Sequence, residues 1–597
     1  MAVSEPAESS ATAGKSTSTG KPEARSENPK DAGRKRIRRA CYVAIGGAAA
    51  IGLFQWLAPE IDYQYAFFAS VAVGVSVLAA VSYQLHRVAA ARGHRFAVPA
   101  LWLVTIATGV SLVKIRTFSG EVVPQLQWRF ADRESPPLVT DVSPGDPAGT
   151  AADVDGVADP GDGNARPGFP GFLGPRRDGV IPERLFAIPE SDDEAERLWE
   201  IGIGPGWGSF AIAGELAVTL EQRGEEECVT AYRVTDGTLR WIHRRQSRHE
   251  SALGEVGPRS TPFIIDGKVY TQGATGIVSC LTLDRGEPVW EQDLLRLGGW
   301  AGSPGRETEE WDQDLRNEAQ SRSEAAMPWG RAGSPLVVDG LCVVPFGGPT
   351  APRGDTPLTR GRGLIAFDAE TGEPRWTAGD DQISYASPQR MVLGGQEQIV
   401  IVNEASVSGH AIDDGRTLWT FPWPGQSNAS ANCASAIPAG GDRFLVGKGY
   451  AGGSALVAVS RNSSGTEDRW DASAVWTSSR LLQTKFNHAV IDGDLAFGIS
   501  NGALEAVRLS TQESLWKQSR RERSGQGQLL LVGDVLVVQA ESGEIRFVAA
   551  DPAEYRPLGR LSGLGSKTWN IPALDGRLLL IRNDTRAIAY RLPPRDR

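Results

Sequence analysis

The sequence predicts an all-β, eight-bladed propeller preceded by three transmembrane α-helices. Three observations lead there: long uncharged stretches confined to the first 113 residues, eight tight-turn signals between apolar runs, and a tryptophan that recurs at blade-like spacing. Composition agrees. A chain of 597 residues exceeds one ordinary domain, and 69 Gly, 37 Pro and 17 Trp against 3 Met speak for many short strands and turns. The formal net charge of -10 excludes the basic footprint of a nucleic-acid binder.

Residues 1–39 begin as a Ser, Ala, Glu, Lys and Gly-rich stretch without apolar periodicity and read as a disordered cytoplasmic tail. Uncharged stretches then fill 40–59, 63–85 and 96–113, each long enough to cross a hydrocarbon core of ~30 Å. Arg34, Lys35, Arg36, Arg38 and Arg39 precede the first, and Arg87, Arg92 and Arg95 separate the second from the third; Glu60 and Asp62 are the only charges between the first two. The positive-inside rule puts residue 1 in the cytoplasm and everything after the third span outside. The expected location is therefore the cytoplasmic (inner) membrane, multi-pass, with a periplasmic propeller. No charge interrupts the spans, as suits an anchor rather than a transporter.

Residues 114–168 read as a flexible Asp/Gly/Pro-rich linker. The DVDG at 153–156 lacks the alternate acidic spacing and closing Glu of a calcium loop. From 169 to 593 the repeats take over. Tryptophans close short strands at 199, 241, 290, 376, 419, 476 and 516, and turns recur at 213–215, 266–267, 339–340, 394–395, 440–441, 492–493, 533–534 and 575–576. Gly-Gly and Asp-Gly pairs supply the positive φ of two-residue hairpins. Four strands per ~42 residues make a propeller blade. The one long interval, between Trp290 and Trp376, holds a single hairpin and so reads as one blade with insertions at 291–329 and 349–361. The last hairpin ends without a Trp strand, whereas Trp199 closes a strand with no hairpin before it. The N-terminal strand is expected to complete the final blade and close the ring.

The pattern A-x-D-x-x-T-G-x-x-x-W, complete at 366–376 and looser in other blades, resembles the pyrroloquinoline-quinone-like (PQQ-like) propeller repeat family. That family includes quinoprotein dehydrogenases and the propeller lipoprotein of the outer-membrane β-barrel assembly machinery. The stretches at 169–180, 257–276 and 524–534 look like its membrane-anchored bacterial branch. The resemblance implies the fold; a quinoprotein dehydrogenase would further imply PQQ, a calcium, a catalytic Asp and, in many members, adjacent cysteines. No adjacent pair exists among Cys41, Cys228, Cys280, Cys342 and Cys433, and no calcium or base motif is recognisable. No cofactor and no metal is expected.

Other motifs dissolve on context. Gly498–Gly502 fits G-x-S-x-G but lies between two strands, not at a strand-to-helix elbow. Gly447–Gly452 fits G-x-G-x-x-G but leads into a strand. His243, His249, His410 and His488 show no ligand spacing. What remains are the loops leading into the innermost strands, which face one mouth of the channel and carry Arg259, Arg331, Tyr385, Asn432, Asn487, His488, Trp569 and Asn570. This ring of donors and aromatics suits an anionic ligand or a peptide. Arg240, Arg244, Arg245 and Arg248 with His243 and His249 form a basic loop after the first complete Trp strand, read as a solvated charge run. The leading function is a non-catalytic binding module for an envelope protein, peptide or small ligand. The alternative is a PQQ-dependent oxidoreductase acting on alcohols or sugars.

Overall fold

The computed structural model describes residues 29–130, 136–141, 168–298, 300, 311–348, 362–462 and 468–595. It divides into two compact units, residues 1–56 with 68–111, and residues 57–67 with 112–597. The expected tail up to residue 28, the DVDG segment and most of the expected linker lie outside the described residues.

The first unit holds most of α1 (Pro29–Ile61), α2 (Tyr63–Ala90) and α3 (Ala97–Leu112), residues 57–67 belonging to the second. Proline suits the first turn of α1, so the helix begins ahead of residue 40 and takes in the Arg/Lys run. Two helical stretches, Asp31–Ala58 and Tyr63–Ala90, are long and apolar enough to cross a membrane. The third expected span is shorter than the sequence reading. At 16 residues α3 extends about 24 Å, because the β-branched run from Val113 leaves the helix for a strand. Its Leu101, Leu103, Val104 and Ile106 are nonetheless exposed, while Trp102 bonds Ser82 of α2 at 3.0 Å.

The second unit is the propeller. Its eight sheets comprise residues 211–246, 263–293, 336–378, 389–422, 437–478, 490–517, 528–561, and 573–591 joined by Glu196–Gly202. These are blades 1 to 8. As the sequence predicts, the N-terminal strand closes the ring, pairing antiparallel with Arg586–Arg591 and setting Trp199 against Ala589. Each of the eight predicted turns joins the two inner strands of a blade, with glycines at φ between +55° and +76°.

The recurring Trp and Gly explain how blades dock. Trp290 lies in the outermost strand of blade 2 and donates its indole N–H to Ala369 O of blade 3 at 2.9 Å; Trp376 does the same to Ile412 O of blade 4 at 3.1 Å. The glycine of the next blade's T-G, D-G or R-G turn lies flat on that indole. A Cβ on Gly286, Gly372 or Gly415 would stand 2.3, 2.6 or 2.5 Å from the Trp of the preceding blade. Blade 7 has Gly559 where the others carry Trp, and there the backbone of Pro189, leading towards the closing strand, takes the space.

The channel is filled by the chain itself. Residues 168–181 thread past the innermost strands. Phe169 bridges Ile212 of blade 1, Pro170 O accepts Ile264 N of blade 2, and Val180–Ile181 pairs in parallel with Leu531–Val532 of blade 7. Buried Arg177 donates to Pro335 O, Ser334 O and Pro388 O, satisfying carbonyls of blades 3 and 4. Burial pulls its pKa down to about 9.

Part of the segment read as linker is ordered. Strands β1 (Val113–Phe118) and β2 (Pro124–Trp128) form a hairpin, and Leu138 bridges Gly202. Alternating Val113, Ile115 and Thr117 give β1 its strand character, and Ser119 organises the turn by accepting from the amides of Glu121 and Val123. The supposed basic loop is also largely strand. Leu239–Gln246 takes in Arg240 to Arg245, and acidic partners offset the patch: Arg244 pairs with Glu226, Arg245 with Glu291, which also hydrogen-bonds His243, and Arg248 with Glu250.

Candidate functional site

A cavity of about 320 Å³ opens at one end of the channel. Its floor is the channel-filling segment at Phe172, whose ring meets His488 edge-on at 5.1 Å. Its wall is aromatic: Trp207 and Trp569 (5.1 Å), Phe486 and Trp569 (4.9 Å), Trp329 and Tyr385 (5.1 Å), with Ile571 and Leu253. Phe118, Ser119, Gly120 and Val122 of the hairpin complete it. The aromatics converge because each stands just before an innermost strand, and the ring topology brings those points round one axis.

Charge rims the apolar wall. Lys567 Nζ lies 4.0 Å from the Trp569 ring centroid and 4.8 Å from that of Trp207, and bonds Glu255 at 2.5 Å. Lys485, only 2% exposed, lies 4.6 Å over Tyr450. Burial lowers the pKa of both lysines. Arg259 donates to Trp329 O and Gly254 O, both at 2.5 Å, and burial brings its pKa down to about 10. Glu541 bridges Trp569 Nε1 and Gln526 N at 2.9 and 3.0 Å.

Four of the eight residues singled out in the sequence line this cavity: Arg259, Tyr385, His488 and Trp569. The other four are turned into the protein. Asn432 Nδ2 donates to three carbonyls, those of Asn403, Glu404 and Trp423; Asn570 Nδ2 donates to Gly206 O and Gly208 O. Asn487 bonds Gln526, and Arg331 holds Ser323, Phe346 and Gly347. These tie one blade to the next. Trp207, Trp329, Phe486, Lys485, Lys567 and Glu541 escaped the sequence reading, although Trp329 and Phe486 lie within two residues of the chosen Arg331 and Asn487, in MPWGRAG and TKFNHAV.

The chemistry on offer is that of binding. Tyr385 donates its hydroxyl to Ser427 O at 2.7 Å, and Ser209 donates to Ile571 O at 2.7 Å. Burial pushes the Cys433 thiol up to about 12, far from a thiolate nucleophile. His488 is 6% exposed, burial takes its pKa down to about 4, and neither ring nitrogen has a hydrogen-bond partner among the described residues. A neutral, unsatisfied imidazole against an aromatic cavity is a group that a bound molecule would satisfy. Among the described residues no group of three or more His, Cys, Asp or Glu is placed to hold a metal ion.

Residues 301–556 match the family model described as outer membrane protein assembly factor BamB, and the complete repeat at Ala366–Trp376 lies within that match. The propeller is of the PQQ-like kind. Along the sequence, this PQQ-like chain is similar to outer membrane protein assembly factor BamB of Xanthomonas campestris pv. campestris, with 26% identity over 342 residues, 49% of this chain and 82% of that one. Solved structures with similarity include the quinohemoprotein alcohol dehydrogenase of Comamonas testosteroni (13% identity, 72% of this chain and 81% of that one, TM-score 0.49). Another is BamB of Moraxella catarrhalis (13% identity, 70% and 97%, TM-score 0.30). At these scores the structural matches carry no argument about activity.

Proposed function

We propose that this PQQ-like propeller is a non-catalytic binding module, anchored by its apolar N-terminal helices and displayed outside the cytoplasmic membrane, that holds an envelope protein, peptide or small ligand at the aromatic mouth. The observation that carries the reading is the cavity itself. Trp207, Trp329, Tyr385, Phe486 and Trp569 offer apolar area, Arg259 adds a cationic side chain to the lining, and the hydroxyls of Ser209 and Tyr385 are committed to main-chain carbonyls. The similar Xanthomonas protein, an outer-membrane assembly factor by name, supports a protein partner in the envelope.

Display outside the membrane sets a condition on topology. A chain whose basic N-terminus stays in the cytoplasm reaches the far side after an odd number of crossings. In this reading α3 therefore enters the bilayer as well, with local thinning making up for its length.

The aromatic wall would also suit a planar quinone, which keeps the oxidoreductase as the second reading. The residues present do not fit it: the cysteines are unpaired, no group of three or more His, Cys, Asp or Glu is placed to hold a calcium among the described residues, and residues 168–181 lie against the innermost strands. The test is reconstitution of the purified chain with PQQ and calcium, followed by dye reduction over a panel of alcohols and sugars. The binding reading expects no substrate-dependent turnover; sustained turnover that requires both additions would overturn it.

A further inference from the structure

The hairpin of β1 and β2 occupies the mouth in a specific way. Its turn, Ser119–Val122, is closed by Val122 N donating to Ser119 O at 2.8 Å, with Val122 itself at φ +59°. Side chains associated with three blades hold it. Lys485 Nζ, ahead of blade 6, donates to Gly120 O at 2.8 Å. Glu541, in blade 7, accepts from Gly120 N at 2.5 Å, and Lys567, ahead of blade 8, donates to Phe118 O at 3.2 Å. The Arg523 guanidinium grips the Glu121 carboxylate. On the other flank, Thr117 donates to Glu255, which is also bound to Lys567.

Most of these contacts read backbone and one reads a carboxylate. Lys485, Lys567 and Glu541 are each at least nine-tenths buried with the turn in place, so the mouth presents buried charged groups whose hydrogen bonds a turn of chain completes. Gly120 is needed for the approach: a Cβ there would stand 2.4 Å from Gln526 Cγ and 2.8 Å from Phe486 Cζ, and Gln526 is itself buried. The mouth is shaped for a small residue followed by an acidic one in a tight turn.

We propose that the mouth of the propeller is a receptor for an acidic β-turn of a partner protein, and that the chain's own Ser119-Gly120-Glu121 turn is its resident occupant, displaced when the partner binds. The inference rests on the binding reading above and names its ligand class. A tethered occupant acts at an effective concentration of about 1 mM, so a free peptide of the same sequence with a Kd of about 10 μM would be weakened roughly 100-fold. The partner turn must be tighter, or itself held near the mouth.

The test uses the full chain in nanodiscs and a fluorescein-labelled synthetic peptide of residues 113–128, with binding read by anisotropy. Gly120→Leu unseats the resident turn without altering the blade side chains that hold it, and is expected to bind the peptide at least about tenfold more tightly than the unsubstituted chain. The same peptide carrying Glu121→Ala should lose about tenfold on the Gly120→Leu chain, and adding Arg523→Ala to that chain should abolish the distinction between the two peptides. Should Gly120→Leu fail to fold by near-UV circular dichroism, Glu121→Ala in the chain serves instead, with the same expected gain in peptide affinity. Equal affinity of the unsubstituted and unseated chains, or indifference to Glu121 in the peptide, overturns the proposal. Such a result leaves the mouth's capacity for other ligands to be read by crosslinking from Leu253, so the two failures are distinguishable.

Discussion

Glu227 shows how much the environment of one side chain decides here. It is 7% exposed, accepts from Ala274 N at 2.9 Å, and burial raises its pKa from 4.5 to about 7. The folded state therefore holds its proton more tightly than the unfolded chain, and stability tied to this group is lost as pH rises from 4.5 through 7. His410 and His488 act in the opposite sense. Burial lowers both from 6.5 to about 4, so the folded state resists their protonation and stability falls as pH drops through that window. Replacing Glu227 by Gln keeps the acceptor and removes the ionisation. The melting temperature of Glu227→Gln relative to the unsubstituted chain should rise between pH 5 and pH 8; parallel melting profiles would refute the assignment. At this scale the sequence was a partial guide. It pointed to polar and aromatic residues ahead of the innermost strands, but not to which way they turn: Asn432 and Asn570 point into main-chain carbonyls, while Lys485 and Lys567, with no periodic signal of their own, point at the mouth.

Elements divide according to whether they repeat. The blades were legible because their docking is periodic: an indole at the end of one blade lies on a glycine in the next, and both residue types recur in the sequence. Gly372 and Gly340 separate the two demands on such glycines. Both sit at positive φ, +73° and +76°, but a Cβ on Gly372 would collide with Trp290 whereas one on Gly340 would meet nothing within 4 Å. Gly340→Ala should cost about 1–2 kcal/mol from backbone conformation alone. Gly372→Ala should cost a further 1–3 kcal/mol, roughly, from the clash. Denaturant unfolding that ranks the two variants equally would contradict this account of blade docking. The elements that occur once were not legible. Residues 168–181 run along the axis, and the hairpin of β1 and β2 caps it, yet neither has a repeat or an amphipathic period to announce a buried face; their partners are distributed over several blades. The end of α3 was misjudged for a related reason, since Val113 is as apolar as the helix before it and only its pairing with Trp128 reveals a strand.

For the molecule as a whole, closure by the Trp199 strand leaves the last blade with its full four strands, and the filled axis makes the ring a rigid support for what lies at its mouth. The central claim is that this mouth, facing the outside of the cytoplasmic membrane, is where the protein binds its partner. Leu253 lines the cavity and is 40% exposed, while Val392, 56% exposed in blade 4, does not line it. The most direct measurement places cysteine at each in turn, in a Cys433→Ala background, and treats spheroplasts with a membrane-impermeant bifunctional thiol reagent. The account predicts a discrete partner adduct from Leu253→Cys, competed by excess peptide of residues 113–128, and none from Val392→Cys. Absence of labelling at Leu253→Cys in intact spheroplasts, or adducts formed equally from both positions, would contradict it.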